Sequence, residues 1–177
     1  MASIWEPSEK VIVTTDMLAK ATARDQGKYN DKSFMDGEGN FPGFLGEYIV
    51  GVWRPDWKHV LDSYDYDFLT AKGSTVDVKT KYTTSDSPRG SWMASVCRDS
   101  GHQRVDYYVF VRVFRDENGN YPFGRIYGAM SKVEFMKKAT FYKKGEKEGD
   151  NGYAVKQDCW SLPYDQMKIL KRISNAN

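Results

Sequence analysis

The sequence predicts a mixed α/β fold in which helices flank a central mixed β-sheet. Apolar residues recur at helical spacing near both ends of the chain, and segments rich in β-branched and aromatic residues fill the middle. Glycine-containing turns separate these segments. The predicted order is two helices, a run of strands, a helix, a strand and a helix, which is the pattern of a sheet covered by helices.

Length and composition indicate one globular domain over residues 1–177. A chain of 177 residues can bury a sizeable core. Hydrophobic residues make up 40% and aromatic residues 15%, which excludes an intrinsically disordered chain. The formal net charge is only +2, so bulk charge alone does not indicate a nucleic-acid-binding protein.

Cysteine content and hydropathy predict a reduced, cytoplasmic setting. Cys97 and Cys159 cannot build a dense disulfide framework, and their spacing does not match a zinc site. The first residues, MASIWEPSEK, lack the apolar run of a signal peptide. No stretch is long and apolar enough to cross a membrane, so no membrane partner is expected.

Two helices are predicted in the first third of the chain. The segment TTDMLAKATARDQGKY has apolar residues at helical spacing, a cap at Thr15 or Asp16, and Gly27 to end it. The second helix is expected from about Gly43 to Trp53, with Pro42 in its first turn.

Strands are predicted through the middle of the chain. YDYDFL (64–69) and TVDVKTKY (75–82) flank the turn TAKGS and form a hairpin. Three more strands follow in SWMASVC, DYYVFVRVF and GRIYGAM, of which DYYVFVRVF is expected to be central.

The final third is predicted to alternate helix and strand. Ser131 and Glu134 have the spacing of a capping box before a short helix. GYAVKQDCWSL is expected to form a late strand, and PYDQMKILKRI a closing helix that begins at Pro163.

The hairpin carries the residues that indicate chemistry. In TVDVKTKY, Val76 and Val78 point to one face of the strand, whereas Asp77 and Lys79 share the other. A tight turn would bring Asp67 of the preceding strand within reach of Asp77. Two close carboxylates repel each other unless a cation lies between them, and few oxygen ligands suit Mg²⁺ or Mn²⁺.

Two further side chains could complete this site. Lys79 could orient an attacking water or neutralise charge that develops on a phosphate. Glu47 lies on the second predicted helix among Gly43, Gly46 and Gly51, which allow close approach to another element. The alternative interpretation is a solvated strand face with a weak surface ion pair and an ordinary helical glutamate.

The segments GFLGEYIV, YDYDFL and VDVKT resemble the PD-(D/E)XK nuclease superfamily, which has the restriction-endonuclease-like fold. The downstream part resembles phage-encoded members of this group. The resemblance covers residues 41–172 as a nuclease core and leaves residues 1–40 as an N-terminal helical addition. It implies a core of one helix, three antiparallel strands, another helix and a further strand.

The resemblance also implies roles for individual residues. Asp67 and Asp77 would bind Mg²⁺, for which Mn²⁺ could substitute, together with the backbone carbonyl of Val78. Glu47 would support the same metal ion or a second one. Lys79 would position the water that attacks a phosphodiester.

One departure from the family pattern concerns the first aspartate. Tyr66 rather than proline precedes Asp67. Asp65 competes for the same role because it lies on the same predicted strand face. We favour Asp67 because it gives the shorter hairpin.

Basic residues outside the hairpin are candidates for nucleic-acid contact, with ordinary surface residues as the alternative. These candidates are Lys81, Arg54, Lys58, Arg89, Arg98 and Arg104. The sequence thus predicts a metal-dependent nuclease, most consistent with an endonuclease acting on DNA in the cytoplasm, of a host cell if the chain is phage-encoded. A non-catalytic nuclease-like module that binds DNA or protein is the alternative, and a homodimer is left open.

Overall fold

The computed structural model describes residues 9–27, 40–149 and 152–167. Its strands are β1 (Glu9–Ile12), β2 (Lys58–His59), β3 (Phe68–Leu69), β4 (Thr75–Thr83), β5 (Met93–Cys97), β6 (Tyr107–Phe114), β7 (Phe123–Ser131), β8 (Thr140–Tyr142) and β9 (Cys159–Pro163). Its α-helices are α1 (Thr15–Gly27), α2 (Asn40–Trp53) and α3 (Lys132–Lys138). Helices and a mixed sheet together confirm the predicted α/β class.

The main sheet has six strands in the order β1-β7-β6-β4-β3-β2. β4 and β6 run parallel, and the other neighbours are antiparallel. β6 is the apolar segment predicted to be central, and it lies between β4 and β7. Strands buried on both faces read as continuous apolar runs, which explains this part of the sequence.

A second sheet of three strands, β5-β9-β8, was not predicted. The prediction placed SWMASVC in the single central sheet, but the chain leaves that sheet after β4. β5 pairs instead with β9, more than 60 residues later. Periodicity cannot identify the partner of a strand, which explains this error.

The two predicted N-terminal helices are present. Thr14 rather than Thr15 or Asp16 caps α1, because its Oγ1 accepts from the N–H of Met17 at 3.2 Å. Helix α2 packs on β4, where the Cα of Gly46 lies so close to Thr80 that a Cβ would overlap that side chain. This contact fixes α2 over the strand that carries Asp77.

Several strand boundaries differ from the prediction. Only Phe68 and Leu69 of YDYDFL are in a strand, and the loop before them includes Asp62, whose φ is +64°. The short strands β1, β2 and β8 were not predicted, and β9 begins later than the predicted late strand. Such short segments lack the length over which alternation can be recognised.

The end of the chain combines one confirmed and one incorrect prediction. Ser131 caps α3, and its Oγ accepts from the N–H of Glu134 at 3.2 Å. Pro163 ends β9 rather than beginning an α-helix, and Tyr164–Gln166 forms a single 3₁₀ turn. The rest of the predicted closing helix, from residue 168, lies outside the described residues.

Two apolar cores lie on the opposite faces of the main sheet. One packs α1 and α2 against the sheet and includes Leu45, Ile49, Trp53, Val76, Val78 and Ile126. The other lies beneath α3 and the second sheet and includes Ala94, Val96, Tyr108, Phe110, Phe135 and Tyr164. Val76 and Val78 therefore pack into a core, as predicted, and that core lies on the α2 side, whereas Asp77 projects toward the opposite side.

The described part of the N-terminal region is joined to this fold. β1 pairs with β7 at the edge of the main sheet, and Val11, Met17 and Ala21 are buried in the α2-side core. No helix among the described residues has the length and hydropathy needed to span a membrane.

The order from α2 to β6 can be compared with the core that the resemblance implies. A helix, three antiparallel strands (β2, β3, β4) and a parallel strand (β6) follow in turn. The crossover from β4 to β6 contains β5 and a 3₁₀ turn at Asp99–His102 where that core would have an α-helix.

Candidate active site

The β3–β4 pairing brings Asp67 next to Asp77. Phe68 pairs with Val76, so Asp67 stands opposite Asp77 at the end of β3. The N–H of Asp67 donates to the carbonyl of Val76 at 2.8 Å. Its carboxylate in turn accepts from the N–H of Val78 at 2.7 Å. Backbone and side chain of Asp67 are thus both fixed against β4.

Lys79 forms an ion pair with Asp77 on the same face of β4. The Lys79 Nζ lies 2.7 Å from Asp77 Oδ2, and Asp77 is only 5% exposed. The Nζ also donates to Gln103 Oε1 at 3.1 Å. Gln103 Nε2 then donates to the carbonyl of Tyr64 at 2.6 Å. Lys79 is therefore held from two sides.

Gln103 was not predicted as a site residue. It follows the 3₁₀ turn of the crossover and is 9% exposed. Lys132 Nζ donates to the carbonyls of Gly101 and Gln103 at 2.7 and 2.6 Å, which fixes the turn that presents Gln103. A single glutamine in a polar loop gives no sequence signal of such a role.

Burial and neighbouring charges shift the pKa values of both aspartates and of Lys79. Burial and the nearby charges of Glu47 and Asp77 raise the pKa of Asp67 well above its usual value. Burial also raises the pKa of Asp77, although Lys79 partly opposes this shift. Burial alone would lower the pKa of Lys79. The effect of the Asp77 carboxylate is larger, so the pKa of Lys79 is raised.

Glu47 lies near the aspartates but is held by two basic side chains. Its Oε2 lies 2.7 Å from Arg24 Nη1 and 2.8 Å from His59 Nε2, and Glu47 is 8% exposed. Its charge raises the pKa of both Asp67 and Asp77. The sequence predicted Glu47, but not its ion pair with Arg24, because Arg24 comes from α1, outside the family resemblance.

The donor set fits Mg²⁺ held by few protein ligands. The Val76 carbonyl and the Val78 N–H both face β3. The Val78 carbonyl faces the same edge, because a strand residue directs its N–H and C=O to the same neighbour. Among the described residues, no group of three or more His, Cys, Asp or Glu side chains could hold a metal ion. Asp67, Asp77 and this carbonyl are three oxygen donors, and Mg²⁺ bound by so few protein ligands commonly keeps several waters.

Asp65 has a different environment from Asp67. Its Oδ1 accepts from the backbone N–H of Arg104 at 3.2 Å. This bond ties Asp65 to the crossover loop, whereas Asp67 faces Asp77. The geometry thus favours Asp67 over Asp65 as the partner of Asp77.

Lys81 belongs to a polar network between β4 and the second sheet. Its Nζ lies 2.6 Å from Ser95 Oγ and 3.2 Å from the carbonyl of Met93. Glu148 lies 3.9 Å from the same Nζ and also accepts from Ser95 and Ser161. Burial lowers the pKa of Lys81. The Lys81 ammonium, which was predicted to bind nucleic acid, therefore already has partners within the protein.

The remaining predicted nucleic-acid contacts are spread over the surface. Arg54 is paired with Asp56 at 3.0 Å and lies over the ring of Trp57. Arg98 is 64% exposed and lies 3.3 Å from Asp158. The exposed members of the set are Lys58, Arg89, Arg98 and Arg104. Arg104 directly follows Gln103, which places it nearest to the site along the crossover loop.

Comparison with known proteins adds no assignment. No protein-family model matches this chain, and no curated protein is similar to it at a significant level.

Proposed function

We propose that this protein is a metal-dependent nuclease of the PD-(D/E)XK type that hydrolyses phosphodiester bonds, with DNA as the favoured substrate. One observation carries the proposal. The half-buried carboxylate of Asp67 and the buried carboxylate of Asp77 converge at the end of a short antiparallel strand pair, with Lys79 in contact with Asp77. Partnered buried carboxylates with raised pKa values are a common feature of functional sites.

Asp67, Asp77 and the Val78 carbonyl would hold Mg²⁺, or Mn²⁺ in its place. A bound divalent ion supplies a Lewis acid and lowers the pKa of coordinated water. Lys79 donates toward the attacking water or a phosphate oxygen, and Gln103 fixes the direction of its ammonium. The new bond joins the water oxygen to phosphorus, and the bond from phosphorus to the leaving oxygen breaks.

Glu47 acts at the edge of this site. Its charge is near both aspartates, but Arg24 and His59 hold one of its oxygens. We assign it to support of the same metal ion or of a second one. Under this assignment Arg24 and His59 orient the carboxylate.

Nucleic acid would bind over the crossover loop and the adjoining surface. Exposed arginines contact phosphates without reading sequence, which suits Arg98 and Arg104. The small net charge requires that such contacts be local to the site. The proposal also includes a cytoplasmic location for the protein. It further includes the pairing of two copies to cut both strands of a duplex.

The test is incubation of the purified chain with supercoiled plasmid, linear duplex DNA, single-stranded DNA and RNA. Each substrate is incubated with Mg²⁺, with Mn²⁺ and with a chelator. We expect cutting of DNA with either ion and none with the chelator. Nicking of the supercoiled plasmid indicates an endonuclease. Digestion of linear DNA from its ends, without nicking of the plasmid, indicates an exonuclease.

Binding is measured on the same substrates by fluorescence anisotropy. DNA binding without cutting under any metal condition would contradict the proposal and support a non-catalytic module. If RNA but not DNA were cut, the proposed metal site would stand and RNA would replace DNA as the substrate.

A further inference from the structure

The β5–β9 strand pair places two cysteines directly opposite each other. Cys97 ends β5, Cys159 begins β9, and the two are register partners. Both thiols are free. Opposite residues of antiparallel strands project their side chains to the same face of the sheet. We propose that Cys97 and Cys159 are an oxidisable dithiol that closes to an intramolecular disulfide.

The backbone at this pair has the separation that a disulfide needs. One position outward, the N–H of Arg98 donates to the carbonyl of Asp158 at 2.9 Å, which makes that pair the hydrogen-bonded one. Pair types alternate along an antiparallel ladder, so Cys97–Cys159 is a non-hydrogen-bonded pair. Its Cα atoms are expected about 4.5 Å apart, within the range of about 4.4–6.8 Å that disulfides span.

A neighbouring pair of the same type shows that side chains meet across these strands. Ser95 and Ser161 are register partners two residues along the ladder. Their hydroxyl oxygens lie 2.9 Å apart. Cys159 Sγ lies 3.6 Å from Ser161 Oγ, which places it on the same face. The two sulfurs can therefore approach without movement of either strand.

The two thiols differ in access. Cys97 is half-buried and accepts from Gln157 Nε2 at 2.7 Å, whereas Cys159 is buried. A cavity at this end of the strand pair is lined by Arg98, Asp99, His102, Asp158 and Gln157, the last of which donates to Cys97. A small oxidant would thus reach Cys97 first, and Cys159 would be the resolving thiol.

The oxidant required is a low-molecular-weight disulfide such as oxidised glutathione. The Cys97 thiolate attacks one of its sulfurs, the S–S bond breaks, and one glutathione thiolate leaves and takes a proton. Cys159 loses its proton to water and attacks the Cys97 sulfur, which expels the second glutathione thiolate. Two protein thiols are oxidised, and one disulfide is reduced to two glutathione molecules.

Burial controls how fast this exchange runs. It raises the pKa of both thiols, although the cations of Lys79 and Lys81 oppose the shift at Cys97. Only a small fraction of either thiol is ionised at neutral pH, and the thiolate is the reacting form. We expect closure over minutes to hours rather than seconds.

The test uses the full chain incubated with oxidised glutathione. Free thiols are counted in denaturant, and intact mass is measured with and without a reductant. We expect both thiols to disappear, the mass to fall by two hydrogen atoms, and peptide mapping to join the Cys97 and Cys159 fragments. A cross-link over so long a loop should raise the thermal midpoint by about 5–10 °C.

Single substitutions separate the two roles. Cys159→Ser leaves the half-buried thiol and should accumulate a glutathione adduct on Cys97. Cys97→Ser leaves the buried thiol and should react several-fold more slowly. Two free thiols after oxidation of the unmodified chain, disulfides only between chains, or glutathione on both cysteines would each overturn the proposal. None of these results depends on nuclease activity.

Discussion

At the scale of single residues, Lys79 depends on a side chain that no sequence pattern marked. Gln103 accepts from its ammonium and is itself anchored to the Tyr64 carbonyl. The lysine would retain Asp77 as a partner without Gln103, but one of two constraints on its direction would be lost. Gln103 is thus a positioning residue in this account.

Replacement of Gln103 by alanine tests that role. We expect kcat for DNA cleavage to fall about 10-fold, a change of about 1.4 kcal/mol in the activation barrier. KM should change little, because no substrate contact is removed. Steady-state kinetics on a short duplex measure both constants. An equal loss through KM alone would contradict a positioning role.

Asp67 gives a prediction about stability. Its pKa is raised in the folded chain, so the folded state binds this proton more tightly than the unfolded state does. At a pH above the Asp67 pKa values of both the folded and the unfolded state, the ionised carboxylate therefore destabilises the fold. This destabilisation decreases as pH falls from neutral toward the pKa of Asp67 in the unfolded state. An amide keeps an oxygen for the Val78 N–H without the charge.

In the presence of a chelator, Asp67→Asn should raise the thermal midpoint at pH 7 by about 2–4 °C, equivalent to about 1 kcal/mol. The gain should shrink as pH is lowered toward 4. Asp65→Asn is the matched control, since Asp65 accepts a backbone N–H but is not opposite Asp77. A lower midpoint for Asp67→Asn at pH 7 would contradict the electrostatic account.

At the scale of elements, the contact of α2 with β4 carries the site. Glu47 lies on α2 and Asp77 on β4, and Gly46 allows the two elements to approach closely, although Asp77 projects from the other face of β4. Any side chain at Gly46 would overlap Thr80, whereas a Cβ at Gly43 in the same helix would have no neighbouring atom within 4 Å. The two glycines therefore form a matched pair.

Gly46→Ala should destabilise the fold by about 2–3 kcal/mol through forced separation of α2 and β4. Gly43→Ala should be neutral or stabilising by up to about 1 kcal/mol, because alanine favours helix. Denaturant unfolding measures both. Equal effects at the two positions would show that helix propensity, rather than close packing, determines the outcome.

Sequence patterns predicted those elements whose own residues determine them. Val76, Asp77, Val78 and Lys79 alternate in a strand long enough to be recognised, and Asp67 was placed opposite Asp77 by turn length alone. The second sheet could not be predicted, because the pairing of β5 with β9 depends on residues distant in sequence. Arg24 and Gln103 were missed for the same reason.

At the scale of the whole molecule, the charges nearly balance. Lysine and arginine total 26 and aspartate and glutamate 24, so affinity for a polyanion must come from a local surface. Arg104 borders the site, whereas Arg115 follows the far end of β6. Both are exposed, which makes Arg115 the control for position.

Arg104→Ala should weaken DNA binding several-fold and reduce the slope of log affinity against log salt by about 1. Arg115→Ala should change neither quantity. Anisotropy titrations across a range of salt concentrations, with Ca²⁺ or a chelator in place of Mg²⁺ to prevent cutting, measure both. Equal losses for the two variants would indicate binding through diffuse charge rather than through the site face.

The most direct test of the central claim is the rate of Mg²⁺-dependent plasmid nicking by Lys79→Ala. We expect a loss of at least about 100-fold relative to the unmodified chain, because the substitution removes the ammonium that acts on the reacting groups. Lys72→Ala, on the exposed turn between β3 and β4, should cut at the unmodified rate. Unchanged nicking by Lys79→Ala, or no metal-dependent nicking by the unmodified chain, would contradict the account.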